Sequence, residues 1–222
     1  MIRHHITDEL LMAYSAGTLP EAFSLVVATH VSLCDECRAR LESYDAVGGA
    51  LLEKMDGAID LSAGSLDATL ARIAAWKDAQ DRPASAITQA LAPEEQPVFP
   101  APLRDYVGGD PAAVRWRPVG GGVRQAVLPT SREASVRLLY IPAGTAVPDH
   151  GHRGTELTLV LQGAFRDEHD RFGAGDIEIA TEVTQHTPVA EPGPDCICLA
   201  ATDAPLRFSG WLPRLAQPFL RI

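Results

Sequence analysis

Two sets of metal-ligating side chains, unlike in chemistry and on opposite sides of the chain's midpoint, constrain this sequence more than any other feature. His30, Cys34 and Cys37 are spaced His-x3-Cys-x2-Cys, with His4 and His5 upstream. His150, His152 and Glu156 are spaced His-x-His-x3-Glu, with His186 further on. Thiolates with imidazole make a soft, compact donor set suited to a closed structural zinc. Imidazoles with a carboxylate suit an ion held inside a β-barrel. Sites of such different character in 222 residues point to two domains that work as a coupled device.

The bulk properties narrow the classes. The length allows one domain or two, each with a modest core. No apolar run approaches the roughly 18 residues of a membrane span, so no membrane association is expected. The start, Met-Ile-Arg-His-His-Ile-Thr-Asp-Glu, has no apolar signal segment, and cytoplasmic residence is the expectation. Net charge is −10, and residues 1–80 hold twelve acidic against six basic side chains. Neither half carries the basic stripe that phosphate contacts need, so direct nucleic-acid binding is not expected. An acidic chain is suited instead to a basic protein partner.

Residues 1–77 read as helices. Thr7 caps the first, with Asp8 and Glu9 in its opening turn, and Gly17 ends it. Pro20 opens a second that runs to His30, and a third starts near Cys34 and reaches Leu52 across the weakening pair Gly48 and Gly49. Ser65 caps a fourth, with Leu66, Leu70, Ile73 and Trp76 on a recurring face. Prolines at 83, 93, 97, 100 and 102 then mark a linker over residues 81–102. Beyond it, strand-like runs over 114–119, 123–128, 135–141, 156–162, 176–180, 196–201 and 206–212 are separated by Gly or Pro clusters, as in a sandwich or barrel. Within 156–162, Leu157, Leu159 and Leu161 alternate with Glu156, Thr158 and Val160, which predicts a strand with two different environments.

On one continuous helix, His30, Cys34 and Cys37 would share a face. Asp35 and Glu36 between the cysteines argue against a plain core stripe, and a helix N-terminus favours the thiolate form. A tetrahedral zinc needs a fourth ligand, which His4 or His5 can supply. This pattern on a small helical segment resembles the zinc-binding anti-sigma domain, and the stretch over 21–40 is similar to that of ChrR-type anti-sigma factors. The resemblance covers about the first eighty residues and implies His5 as the fourth ligand.

The run Gly144-x5-His150-x-His152-x3-Glu156-x6-Gly163 resembles the first cupin motif at every position. The second motif is degraded, with Gly175 and His186 fitting it loosely. His150, His152, Glu156 and His186 are the expected ligands, and such a set accepts Fe, Mn, Ni or Zn. His169 reads as an exposed loop residue. Cys196 and Cys198 share one face of a strand and read as buried small hydrophobes.

Taken over nearly the full chain, the resemblance to ChrR-type anti-sigma factors implies an all-α N-terminal helical bundle (residues 1–80), a linker (81–102) and an all-β cupin barrel (103–222). It further implies zinc in both sites, with Fe or Mn the other ions considered for the barrel. The partner would be a group IV extracytoplasmic-function (ECF) sigma factor in a 1:1 heterodimer, released when the cupin responds to singlet oxygen or related oxidants. The competing reading is a cupin metalloenzyme of the oxygenase or isomerase class, with Arg137 or Tyr140 facing inward. The sequence offers no evident proton donor or arginine cluster for it, and no enzymatic activity is expected.

Overall fold

The computed structural model describes residues 1–54, 61–80 and 97–208. The helices are α1 (Asp8–Ser15), α2 (Glu21–Val31), α3 (Asp35–Glu53), α4 (Ser65–Gln80) and α5 (Ala101–Val107). The strands are β1 (Arg117–Gly120), β2 (Val123–Leu128), β3 (Ser135–Ile141), β4 (His150–Gly151), β5 (Glu156–Gln162), β6 (Ala164–Arg166), β7 (Arg171–Gly173), β8 (Ile177–Ala180), β9 (Gln185–His186), β10 (Val189–Ala190), β11 (Cys196–Thr202) and β12 (Arg207–Phe208). Helices followed by a β-rich cupin domain are the expected order. Residues 1–49 and those from 97 onward form one compact unit, and residues 50–96 a second.

The largest sheet runs β1-β2-β3-β11-β5-β8, all antiparallel. Two three-stranded sheets, β10-β6-β7 and β12-β4-β9, complete the barrel. The alternation read in β5 holds. Leu157, Leu159 and Leu161 join Val136, Leu138, Ile197 and Leu199 on the outer face, whereas Val160 turns inward to Phe165, Phe172, Cys196 and Cys198. A sheet buried on both faces needs apolar residues on both, and every residue of β11 is buried.

Helix α2 covers the outer face. Its buried residues, from Ala22 to His30, run nearly all the way round, as expected of a helix packed on several sides. It packs on β3, β5, β11, α1 and α5, and Phe23, Leu25 and Val26 share one continuous core with Leu159 and Leu199. Glu21 fastens its start to the barrel: Tyr106 Oη donates to one carboxylate oxygen at 3.0 Å and the Ser131 amide to the other at 2.7 Å. Gly163 joins β5 to β6 at φ +70°, and a Cβ there would lie 2.8 Å from the Asp195 carbonyl oxygen. Only glycine fits that turn.

Several sequence expectations are corrected. The prolines predict irregular chain up to residue 102, but α5 begins at Ala101, with Pro102 in the first turn where no amide hydrogen is required. Phe99 and Leu103 anchor this stretch, both fully buried. The strand expected from residue 114 begins only at Arg117, because Pro111–Ala113 form a 3-10 turn. The helix break expected between His30 and Cys34 is present, since α2 ends at Val31 and α3 starts at Asp35. The strand expected over 206–212 is present as β12, and its remainder lies outside the described residues, as does most of the expected linker.

Candidate metal centres

The break between α2 and α3 builds the first centre. His30 sits in the last turn of α2, and the Cys34 amide donates to the His30 carbonyl at 2.9 Å, folding the chain back on itself. Cys37 lies in the first turn of α3, its amide 3.5 Å from Cys34 Sγ. His5 arrives from the N-terminal segment, which Arg40 holds by donating to the Ile6 carbonyl at 3.1 Å and to Asp8. His5 Nδ1 is 3.3 Å from Cys34 Sγ and 3.6 Å from Cys37 Sγ, and His30 Nε2 is 3.3 Å from Cys37 Sγ. The four donor atoms lie within 4.8 Å of one another. Ligands about 2.0–2.3 Å from a tetrahedral ion stand about 3.3–3.8 Å apart, so the spacing fits a metal of zinc's size. The other ring nitrogen of His5 lies 3.4 Å from Glu36, which orients the imidazole.

Burial, aided by His5 nearby, lowers the His30 pKa to about 4, so its ring is neutral and ready to ligate at pH 7. The Gly175 backbone opposes part of that lowering. Burial pushes the Cys37 thiol up to about 11. An ion arriving here must therefore displace a proton from that thiol. His4 stays outside the set and pairs with Asp170 and Asp176 of the barrel.

In the barrel, β4 pairs with β9 so that His150 lies opposite His186. The Nε2 atoms of His150, His152 and His186 converge, at 3.2 Å for His150–His186 and 3.3 Å for His152–His186. His150 Nδ1 donates to the Pro148 carbonyl at 2.9 Å. His186 Nδ1 faces Glu178 at 2.9 Å and Asp167 at 3.0 Å. Both rings thus carry their proton on Nδ1, which leaves two Nε2 lone pairs facing each other. A cation between them relieves that repulsion, and the donor set fits one. Without a metal, a proton serves instead: burial opposes charging His186, but Glu178 and Asp167 outweigh it and lift the pKa to about 9.

Glu156 lines the same cavity but stands apart from this triad; its carboxylate accepts from Thr158 Oγ1 at 3.1 Å. The carboxylates that reach His186 are Asp167 and Glu178, which sequence reasoning did not single out. Asp167 sits in Arg-Asp-Glu-His-Asp-Arg, a run that reads as a solvated loop, and its approach to residue 186 is a long-range contact. His169 is exposed, as expected. The cavity, of about 540 Å³, is also lined by Gln125, Arg137, Leu139, Phe165 and Cys198. Arg137 is buried and donates to Gln125 and Ser135. Cys196 and Cys198 are buried with their sulfurs 3.5 Å apart.

A family model described as the ChrR cupin-like domain matches residues 105–205. Over 222 residues, all of this chain and 99% of the relative, the sequence is 65% identical to the anti-sigma-E factor ChrR of Cereibacter sphaeroides. The chain belongs to the ChrR family of anti-sigma factors. A member of this family is also among the solved structures that the chain resembles, in the crystal structure of Rhodobacter sphaeroides SigE in complex with the anti-sigma ChrR. That match has a TM-score of 0.77 at 62% identity and covers 91% of this chain and all of the other. Membership places the chain among anti-sigma factors rather than cupin enzymes. No helix of the described residues is long and apolar enough to cross a membrane.

Proposed function

We propose that this chain is an anti-sigma factor that binds and inhibits a group IV ECF sigma factor as a 1:1 heterodimer in the cytoplasm. Residues 1–80 would make the inhibitory domain, 81–100 the linker and the chain from α5 onward the sensory cupin. The observation that carries this reading is full-length identity of 65% to an anti-sigma-E factor. Further support comes from the four-donor cluster in the helical part. His5, His30, Cys34 and Cys37 would hold a structural zinc that fixes the break between α2 and α3, supplying folding free energy to a segment with a modest core. Leu66, Leu70 and Ile73 of α4 are exposed, at 68%, 54% and 49%. Exposed apolar residues in helical register suit an amphipathic docking face for a sigma factor.

His150, His152 and His186, with Glu156 in the same cavity, would hold the second ion, with zinc preferred to Fe or Mn. The cavity would be the place where singlet oxygen or a related oxidant is sensed, leading to release of the sigma factor. The test is co-expression with ECF sigma factors from the same genome, followed by measurement of complex stoichiometry and zinc per chain. A 1:1 complex that is lost in Cys34→Ser and Cys37→Ser variants supports the proposal. A full-length chain that carries zinc and binds none of those sigma factors refutes it.

A further inference from the structure

Residues 2–5 run from the first metal centre onto the barrel, and the barrel segment they meet is the one that holds His186. Asp176 Oδ1 accepts from two consecutive amides, Arg3 at 2.6 Å and His4 at 3.0 Å. The Ile177 amide donates to the His4 carbonyl at 3.4 Å. The His4 ring lies 3.1 Å from Asp170 through Nε2 and packs on Phe172, with ring centroids 4.4 Å apart. Ile2 rests on Gly175, where a Cβ would come within 2.7 Å of it. His5, the next residue, faces both thiols of the first centre.

The same segment grips the second centre from inside. Asp167 and Glu178 bracket it, and both hold His186 Nδ1. Asp167 is tied to Asp170 twice, since its side chain accepts from the Asp170 amide at 2.9 Å and its own amide donates to the Asp170 carbonyl at 3.1 Å. Glu178 is two residues along the backbone from Asp176, which is buried and also accepts from the Gly173 amide. His186 and His4 are thus joined by two short routes, one through Asp167 and Asp170, the other through Glu178 and Asp176.

We propose that residues 2–5 are a coupling arm, with His4 and Asp176 as positioning residues that transmit displacement of His186 to His5 and the first metal centre. The chemistry is mechanical. When His186 moves, Asp167 and Glu178 lose an anchor, the segment over 167–178 relaxes, and the arm loses the carboxylates that hold its amides. His5 is then less firmly placed against Cys34 and Cys37. The inference rests on the reading of the barrel triad as the sensory site.

Hydrogen exchange on the metal-loaded full chain tests it, together with the rate at which a colorimetric chelator strips metal from the first centre. His150→Ala disturbs the triad without touching the arm, and is expected to speed exchange at Arg3 and His4 and metal loss about tenfold. Asp176→Ala should raise both rates by at least as much, and adding His150→Ala should then raise neither further. Effects that multiply in the double variant overturn the proposal, as does an arm whose exchange is unmoved by His150→Ala. Should Asp176→Ala not fold, Asp170→Ala at an exposed side chain gives the same test with a smaller effect, about threefold. Neither readout needs a sigma factor. A chain that binds none yet keeps this coupling refutes the proposed function and leaves the arm standing, and a sigma-binding chain with multiplicative variants does the reverse.

Discussion

His186 presents Nδ1 to Glu178 Oε1 at 2.9 Å while its Nε2 points into the triad, so one buried carboxylate fixes which nitrogen is free to ligate. Burial raises the pKa of Glu178, whereas its hydrogen bond with His186 lowers it. The pair is therefore strongest when His186 carries or shares positive charge. Glu178→Gln keeps the shape and removes the charge. It should weaken metal binding in the barrel about 10- to 100-fold, as measured by competition with a chelator. Unaltered affinity in the barrel would mean that Glu178 does not support the site.

Metal loading of the first centre should release protons at pH 7. Cys37, pushed up to about 11 by burial, keeps its proton at that pH in the metal-free protein, whereas His30, lowered to about 4, has none to lose. Calorimetry in buffers of different ionisation enthalpy should show at least one proton lost per ion, and none of it should come from His30. A titration with no buffer dependence would contradict the thiol assignment.

Stability of the metal-free chain should depend on pH with opposite signs at His30 and at His186. The fold lowers the His30 pKa from 6.5 to about 4. The unfolded chain thus binds the extra proton, and stability falls as pH drops through that window. The fold raises the His186 pKa from 6.5 to about 9, giving stabilisation that is complete below 6.5 and lost as pH rises through 9. Thermal melts between pH 4 and 10 should show both limbs. His186→Gln should flatten the alkaline limb alone.

Leu199 is fully buried in β11 within the core that the sheet shares with α2. Leu199→Ala should cost about 2–5 kcal/mol, read from denaturant melts. Because helix and sheet share this core, circular dichroism for the helices and tryptophan fluorescence from Trp116 should shift together. Separate midpoints would show that residues 1–49 and the barrel unfold independently.

What the sequence disclosed and what it hid follow from the range of the forces involved. His30, Cys34 and Cys37 are close in sequence, as are His150 and His152, so the spacing of their chemistry is visible along the chain. The two faces of β5 are visible for the same reason, because alternation is local. Strands β4 and β9 are two residues each and meet through the long-range pairing of residue 150 with residue 186. No periodicity can signal them. Asp167 and Asp176 look like solvated acids until the fold brings His186 and the N-terminal amides to them. Helix α5 was masked by its prolines, although Pro102 sits where helices tolerate one.

The cover that α2 provides has a cost if it is ever lifted. Leu138, Leu157, Leu159 and Leu199 lie beneath it, fully buried, on a face that a free-standing barrel would turn toward water. Parting the two would uncover a strip of leucines of the kind by which chaperones and proteases tell damaged chains from sound ones. Whether α2 stays seated therefore decides whether the outer face of the barrel stays dry.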